Sequence, residues 1–201
     1  MTGVREPAKA LLLDLDGVLR HYDGAIDAVI EDRHFLEPGA IFRTAMEPAR
    51  YKTLVTGGWT RAEWLADVGA TLGLTSAEVD ELAAYRGYVD REVLEFVREV
   101  RAAGVPVGLC TNAPRDLADD LAQLGIAEDF DAVANSSDVR YAKPQPEYYR
   151  AACVLVRTVP RYCLFVDDSM RNVEGARRVG IAAFRWSGHG DIPYLKAALG
   201  L

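Results

Sequence analysis

The sequence predicts an α/β protein: a mostly parallel sheet between two helical layers, with a small all-helical insert after the first strand. Three observations predict it. Five short apolar runs are spread along the 201 residues, amphipathic helical patterns separate most of them, and the first gap is far too long for one crossover.

The runs are Ala10–Leu13 and residues 105–110, 132–134, 162–166 and 181–184. Unbroken apolar runs of this length suit strands buried on both faces. Between them, Leu117, Leu121 and Leu124 line one helical face, and Tyr149, Ala152, Cys153 and Val156 line another at i, i+3, i+4, i+7. Pro144 and Pro146 mark where the second of these helices starts, and Gly125 and Gly180 are expected C-caps. Alternating strands and helices imply parallel pairing.

About 90 residues separate Leu13 from Val105, where a crossover needs only a dozen or so. Thr60 with Glu63 and Thr75 with Glu78 are two capping boxes within this stretch. Trp64, Leu65, Val68 and Leu72 give the first of their helices an apolar face. Residues 20–90 are therefore expected to form a helical cap, with residues 1–19 and 91–201 as the core. A helix over 90–103 returns the chain to the sheet. Trp59 and Trp64 are expected to pack the cap, and Arg43 and Arg61 are candidates for its cleft-facing side.

The formal net charge is -7 and the pI about 5.0. Such a surface disfavours nucleic acid and anionic membranes as partners but leaves a small phosphorylated substrate open. Cys110, Cys153 and Cys163 show no CxxC spacing and read as buried apolar residues of a reducing compartment. His21, His34 and His189 are isolated, so no zinc set is visible. No signal-like apolar segment is seen, and a cytoplasmic protein is expected. The sequence sets no oligomeric state.

Polar residues follow the apolar runs at once: Asp14-Leu15-Asp16-Gly17, Thr111-Asn112 and Asp167-Asp168-Ser169. Ligands of parallel α/β sheets bind outside the carboxyl ends of the strands, so these groups should converge. Asp14 and Asp16 face the same way in extended chain. Gly17 lets the backbone turn and approach a ligand closely. Two adjacent carboxylates repel unless a cation or shared proton intervenes. With Asp167-Asp168 they make a hard-oxygen site suited to magnesium, although Asp167-Asp168 alone could cap the following helix. Thr111 and Asn112 offer a hydroxyl and an amide to phosphate oxygens, and Lys143 offers a neutralising ammonium.

In this order the groups resemble the four motifs of the haloacid dehalogenase-like (HAD) hydrolase superfamily. They read Asp14-Leu15-Asp16-Gly17-Val18-Leu19, Thr111-Asn112, Lys143-Pro144 and Phe165-Val166-Asp167-Asp168-Ser169. The resemblance spans the chain, with residues 141–147 and 167–176 looking most like subfamily IA and similar to bacterial sugar-phosphate phosphatases of the α-glucose-1-phosphate type. It implies a Rossmann-like core with a C1-type cap. It implies Asp14 as nucleophile, Asp16 as general acid and base, and Thr111 and Lys143 as holders of the phosphoryl group. It places Mg2+ between Asp14, the Asp16 carbonyl and Asp168. The expectation is a magnesium-dependent phosphatase acting on a small phosphorylated metabolite, a sugar phosphate being one candidate. Where many relatives carry a further Asp, this chain has Asn172. The rivals are a phosphomutase, a haloacid dehalogenase, which would lack Asp16, a phospho-acceptor module, which would lack the cap, and an inactive binding protein.

Overall fold

Strand β1 (Ala10–Leu13) is the middle of a five-stranded sheet ordered β5-β4-β1-β6-β7, with β4 (Val107–Thr111), β5 (Ala132–Asn135), β6 (Cys163–Asp167) and β7 (Ala182–Arg185). Every neighbouring pair is parallel. The computed structural model describes residues 6–201, so the first five positions of the 1–19 segment lie outside the described residues. Leu13 pairs with Leu109 on one side and Val166 on the other, which brings the carboxyl ends of β1, β4 and β6 level. The chain winds from β1 toward β4 and β5, then crosses back to β6 and β7. The topological switch therefore lies at the end of β1, where a ligand crevice opens.

Period-two alternation divides the core. Leu11 and Leu13 join an apolar cluster with α6 (Arg91–Ala102), α7 (Leu117–Gln123) and α11 (Ile192–Leu199). Ala10 and Leu12 join a second cluster with α9 (Pro146–Leu155) and α10 (Met170–Arg178), where Tyr148, Tyr149 and Phe165 are fully buried. Residues alternating across a strand thus bind a helical layer to each face. A single-turn helix, α8 (Ser136–Val139), follows β5. Gly125 and Gly180 follow α7 and α10 with positive φ, as expected of C-caps.

Between the first two strands of the large sheet lie α1 (Ala25–Arg33), α2 (Ala40–Ala45), α3 (Pro48–Val55), α4 (Arg61–Leu72) and α5 (Ser76–Ala84). Both capping boxes form, Thr60 with Glu63 and Thr75 with Glu78. Ile30, Ile41, Ala45, Leu65, Val68 and Leu82 make a third, separate apolar cluster. Trp64 packs as expected, and its indole N–H donates to the Ala45 carbonyl at 3.1 Å. The sequence does not foreshadow one feature: the two stems of the insert pair as an antiparallel ribbon, β2 (Arg20–His21) with β3 (Tyr88–Val89). Among the described residues no helix is long and apolar enough to cross a membrane.

The isolated histidines all find carboxylates. His34 meets Glu78, and His189 lies 2.7 Å from Asp90 and 3.1 Å from Glu92. Asp90 caps α6 at the end of the stem ribbon, with His21 3.5 Å away. The hydrogen bond to Asp90 raises the His189 pKa. A raised folded value means the contribution to stability is complete below the unfolded value near 6.5 and is lost as pH rises through the folded one. The thermal midpoint difference between wild type and His189→Asn should therefore be larger near pH 6 than near pH 9. Equal differences at both would remove protonation from the account.

Candidate active site

Asp14 extends β1 by one residue, and its backbone N–H donates to the Val166 carbonyl at 2.9 Å. Its carboxylate is almost fully buried. Oδ1 accepts from the Leu15 N–H at 2.7 Å and meets Lys143 Nζ at 2.6 Å. No hydrogen bond to Oδ2 is formed among the described residues, and Asp14 lines the cavity. Burial pushes the Asp14 pKa well up despite the attraction of Lys143, and Asp167 adds to the rise. A carboxylate so placed favours any further cation brought to it.

Lys143 precedes α9 and buries its whole side chain. The ammonium touches Asp14, Asp167 Oδ2 at 2.7 Å and the Cys110 carbonyl at 3.0 Å. Burial alone would lower its pKa, but the two carboxylates raise it, so the ammonium stays charged. Asn112 orders the loop that carries it. Its Oδ1 accepts from the Lys143 N–H at 2.8 Å and its Nδ2 donates to the Lys143 carbonyl at 3.1 Å. The Asn112 amide, expected to meet phosphate, is thus engaged on the Lys143 backbone. Thr111 ends β4, lines the cavity, and its hydroxyl makes no hydrogen bond among the described residues.

Asp167 and Asp168 divide their work by strand alternation. Asp167 is fully buried, and instead of capping a helix by itself it collects Lys143, the Ser169 N–H at 2.8 Å and both contacts of Asn172 Nδ2 at 3.1 Å. The departure at Asn172 is thereby explained: an amide donates to Asp167 where a carboxylate would repel it. Asp168 points out toward Gly17, which has φ +84°, and a Cβ at Gly17 would overlap the Asp168 carboxylate. Only glycine accommodates both demands. Asp14, Asp167 and Asp168 each offer a carboxylate oxygen within 4.8 Å of the others.

Asp16 follows, and both of its oxygens are held by Arg20, at 2.6 and 3.0 Å. Arg20 also meets Asp120 Oδ2 at 2.9 Å, and Arg86 lies 2.6 Å from Asp120 Oδ1. Arg20 belongs to one stem of the helical insert, Arg86 lies just before the other, and Asp120 belongs to α7, so this cluster ties the insert to the core. The i, i+4 spacing of Asp16 and Arg20 was the only sequence signal for it. Burial opposes the charge on Arg20, yet Asp16 raises its pKa, which keeps the guanidinium charged.

These groups floor a cavity of about 410 Å³ roofed by the helical insert. Arg61 lines it, whereas Arg43 does not. Arg43 turns back onto the Pro38 carbonyl at 2.7 Å, which corrects the expectation that it faces the cleft.

Residues 8–180 match the haloacid dehalogenase-like hydrolase family. The chain belongs to this family. HAD relatives with phosphatase names align with it. The validoxylamine A 7'-phosphate phosphatase of Streptomyces hygroscopicus is 30% identical over 50% of this chain, and the chain spans 51% of that relative's length. The N-acetylmuramic acid 6-phosphate phosphatase of Pseudomonas aeruginosa is 30% identical over 86% of this chain and 78% of its own. The fold matches a HAD enzyme from Bacteroides thetaiotaomicron crystallised with magnesium and inorganic phosphate (TM-score 0.73, 20% identity, covering 90% of this chain and 95% of that one).

The residues present fit a magnesium ion such as the one crystallised with that neighbour. Three carboxylates face one ammonium, all donors are oxygen, and Asp14 and Asp168 bring theirs together at the cavity floor. Asp167 is already saturated by Lys143, Ser169 and Asn172.

Proposed function

We propose that the chain hydrolyses small phosphate monoesters through an aspartyl-phosphate on Asp14. The observation that carries this reading is the meeting of Asp14, Thr111, Lys143 and Asp168 around one covered cavity. Asp14 Oδ2 attacks phosphorus; an Asp14 O–P bond forms and the bond to the leaving oxygen breaks. Asp16 gives that oxygen its proton, then takes one from the water that attacks the acyl phosphate and frees inorganic phosphate. For this, Asp16 must exchange Arg20 for substrate. Lys143 neutralises the transferring group, while the Thr111 hydroxyl and the backbone around Gly17 and Asn112 hold its oxygens. Asp14, Asp168 and the Asp16 carbonyl would hold magnesium, which supplies positive charge to the phosphoryl oxygens when bound.

The division into a core of residues 1–19 and 91–201 and a cap of residues 20–90 belongs to the same proposal, and the stem ribbon at Arg20–His21 and Tyr88–Val89 supports it. A cap over the floor excludes bulk water and limits substrates to small molecules. The free, buried cysteines accord with a reducing compartment such as the cytoplasm. Asp16 argues against dehalogenation, because a halide needs no proton to leave.

The test is phosphate release from small monoesters with and without metal. EDTA should stop it and magnesium should restore it. Asp168→Ala should raise the magnesium concentration for half-maximal rate by at least about 10-fold, since losing a ligand should cost no less than losing a group that only orients one. Full release in EDTA after dialysis would refute the metal assignment.

A further inference from the structure

The geometry points to an apolar leaving group, an aryl-alkyl or alkyl alcohol and not a polyol, as the part of the substrate that the cap receives. This rests on the phosphatase reading and gives it a substrate class.

The cavity floor is polar and its roof is not. Ile41, Met46, Leu54, Trp64, Leu65 and Leu82 form the roof, drawn from α2, α3, α4 and α5. Ile41, Leu65 and Leu82 are also members of the cap's own apolar cluster, so the same side chains hold the cap together and face the cavity. Phe42 and Met46 continue this surface outward, 60% and 41% exposed.

A sugar needs a dense set of convergent donors and acceptors, since each buried hydroxyl left unpaired is costly. Several polar atoms near the roof are engaged within the protein. The Trp64 N–H is held by the Ala45 carbonyl at 3.1 Å. Tyr51 Oη sits 3.5 Å from Asn112 Nδ2. Tyr85 Oη accepts from the Asp23 N–H at 3.2 Å. Arg61 donates to the Tyr85 carbonyl at 2.9 Å. What remains is one side carrying Tyr22, Asp23 and Asp27, together with the buried Arg61 Nε, which has no hydrogen-bond partner among the described residues. A leaving group with several hydroxyls would desolvate most of them against Leu, Ile and Met. An apolar one exchanges water for those same surfaces.

Primary alkyl phosphates of similar intrinsic reactivity separate recognition from chemistry. The experiment compares 2-phenylethyl phosphate with glucose 6-phosphate in magnesium, with acetyl phosphate as an activated mixed anhydride whose leaving group is too small to engage the roof. The expected kcat/KM for 2-phenylethyl phosphate exceeds that for glucose 6-phosphate by at least about 100-fold. Phe42→Gln and Met46→Gln should each shrink that ratio. Calorimetry on Asp14→Asn gives a readout without turnover: 2-phenylethyl phosphate should bind more tightly than glucose 6-phosphate, with the negative heat-capacity change of apolar burial. A ratio below about tenfold, with acetyl phosphate still hydrolysed, overturns the apolar assignment and leaves the phosphatase reading standing. No release from any of the three overturns the phosphatase reading, and the substrate class falls with it.

Discussion

Asp14→Asn should abolish phosphate release, by about 10,000-fold or more, and should raise the melting temperature at neutral pH. The two effects share one cause. Asp14 lies at the end of the central strand, almost fully buried, lining the cavity with one oxygen held by Lys143 and the Leu15 N–H. An amide in its place cannot attack phosphorus. Yet the carboxylate is costly to hold there, since its pKa is pushed well up by burial and by Asp167 even with Lys143 alongside. With a folded value above the unfolded value near 3.9, its contribution to stability is favourable below the unfolded value and is lost as pH rises through the folded one. The neutral amide escapes that loss. In EDTA the variant should melt above wild type at pH 7, and the gain should vanish near pH 4. Activity within tenfold of wild type would end the covalent mechanism. A melting temperature lowered at pH 7 would mean that the pair with Lys143 outweighs the cost of burying the charge.

The sheet and the cavity floor were legible in the sequence because both depend on short, local patterns. Ala10–Leu13 forms a strand with the bounds its apolar run implies, and Thr60–Glu63 and Thr75–Glu78 form both capping boxes. The run at 105–110 begins its strand only at Val107, since Pro106 has no N–H for the ladder. The stem ribbon is two residues a side, too short for any period to register. At the floor, Asp14, Thr111 and Asp168 converge as their positions after apolar runs imply, and Lys143 joins them from the segment before α9. What eluded sequence reasoning was the partner of each group. Asp167 and Asp168 are chemically identical and adjacent, but strand alternation buries one against Lys143 and turns the other toward Gly17. The lock of Asp16, Arg20, Asp120 and Arg86 joins residues 100 positions apart, and only its Asp16–Arg20 edge has a local i, i+4 signal. Arg43 and Arg61 look alike in sequence, and only the turn before α2 sends Arg43 back onto Pro38.

The other large effect belongs to Lys143. If its ammonium served only to neutralise a bound phosphate, Lys143→Met would lose activity and little else, because Met fills a similar volume with apolar atoms. The contacts imply more. The ammonium, 2% exposed, is the one cation touching both Asp14 and Asp167 among the described residues. Those carboxylates approach within 4.8 Å of each other, and Asp167 has no exposure to water. Removing one partner of a buried ion pair costs about 3–5 kcal/mol, since the other charge is left buried and uncompensated. Lys143→Met should therefore lose stability of that order at pH 7 in EDTA, measured by urea unfolding, together with phosphate release. The pH dependence identifies the origin. Without Lys143 the folded pKa of Asp14, already raised by burial, rises further, so the stability it allows is complete below the unfolded value near 3.9 and is lost as pH climbs through the raised folded value. The gap to wild type should narrow steadily as pH falls from 7 toward 4, and saturating magnesium at pH 7 should narrow it as well by supplying the missing charge. A gap that stays constant with pH would trace the loss to packing and not to the two carboxylates. No loss of stability at all would leave Lys143 with a role in phosphate neutralisation alone.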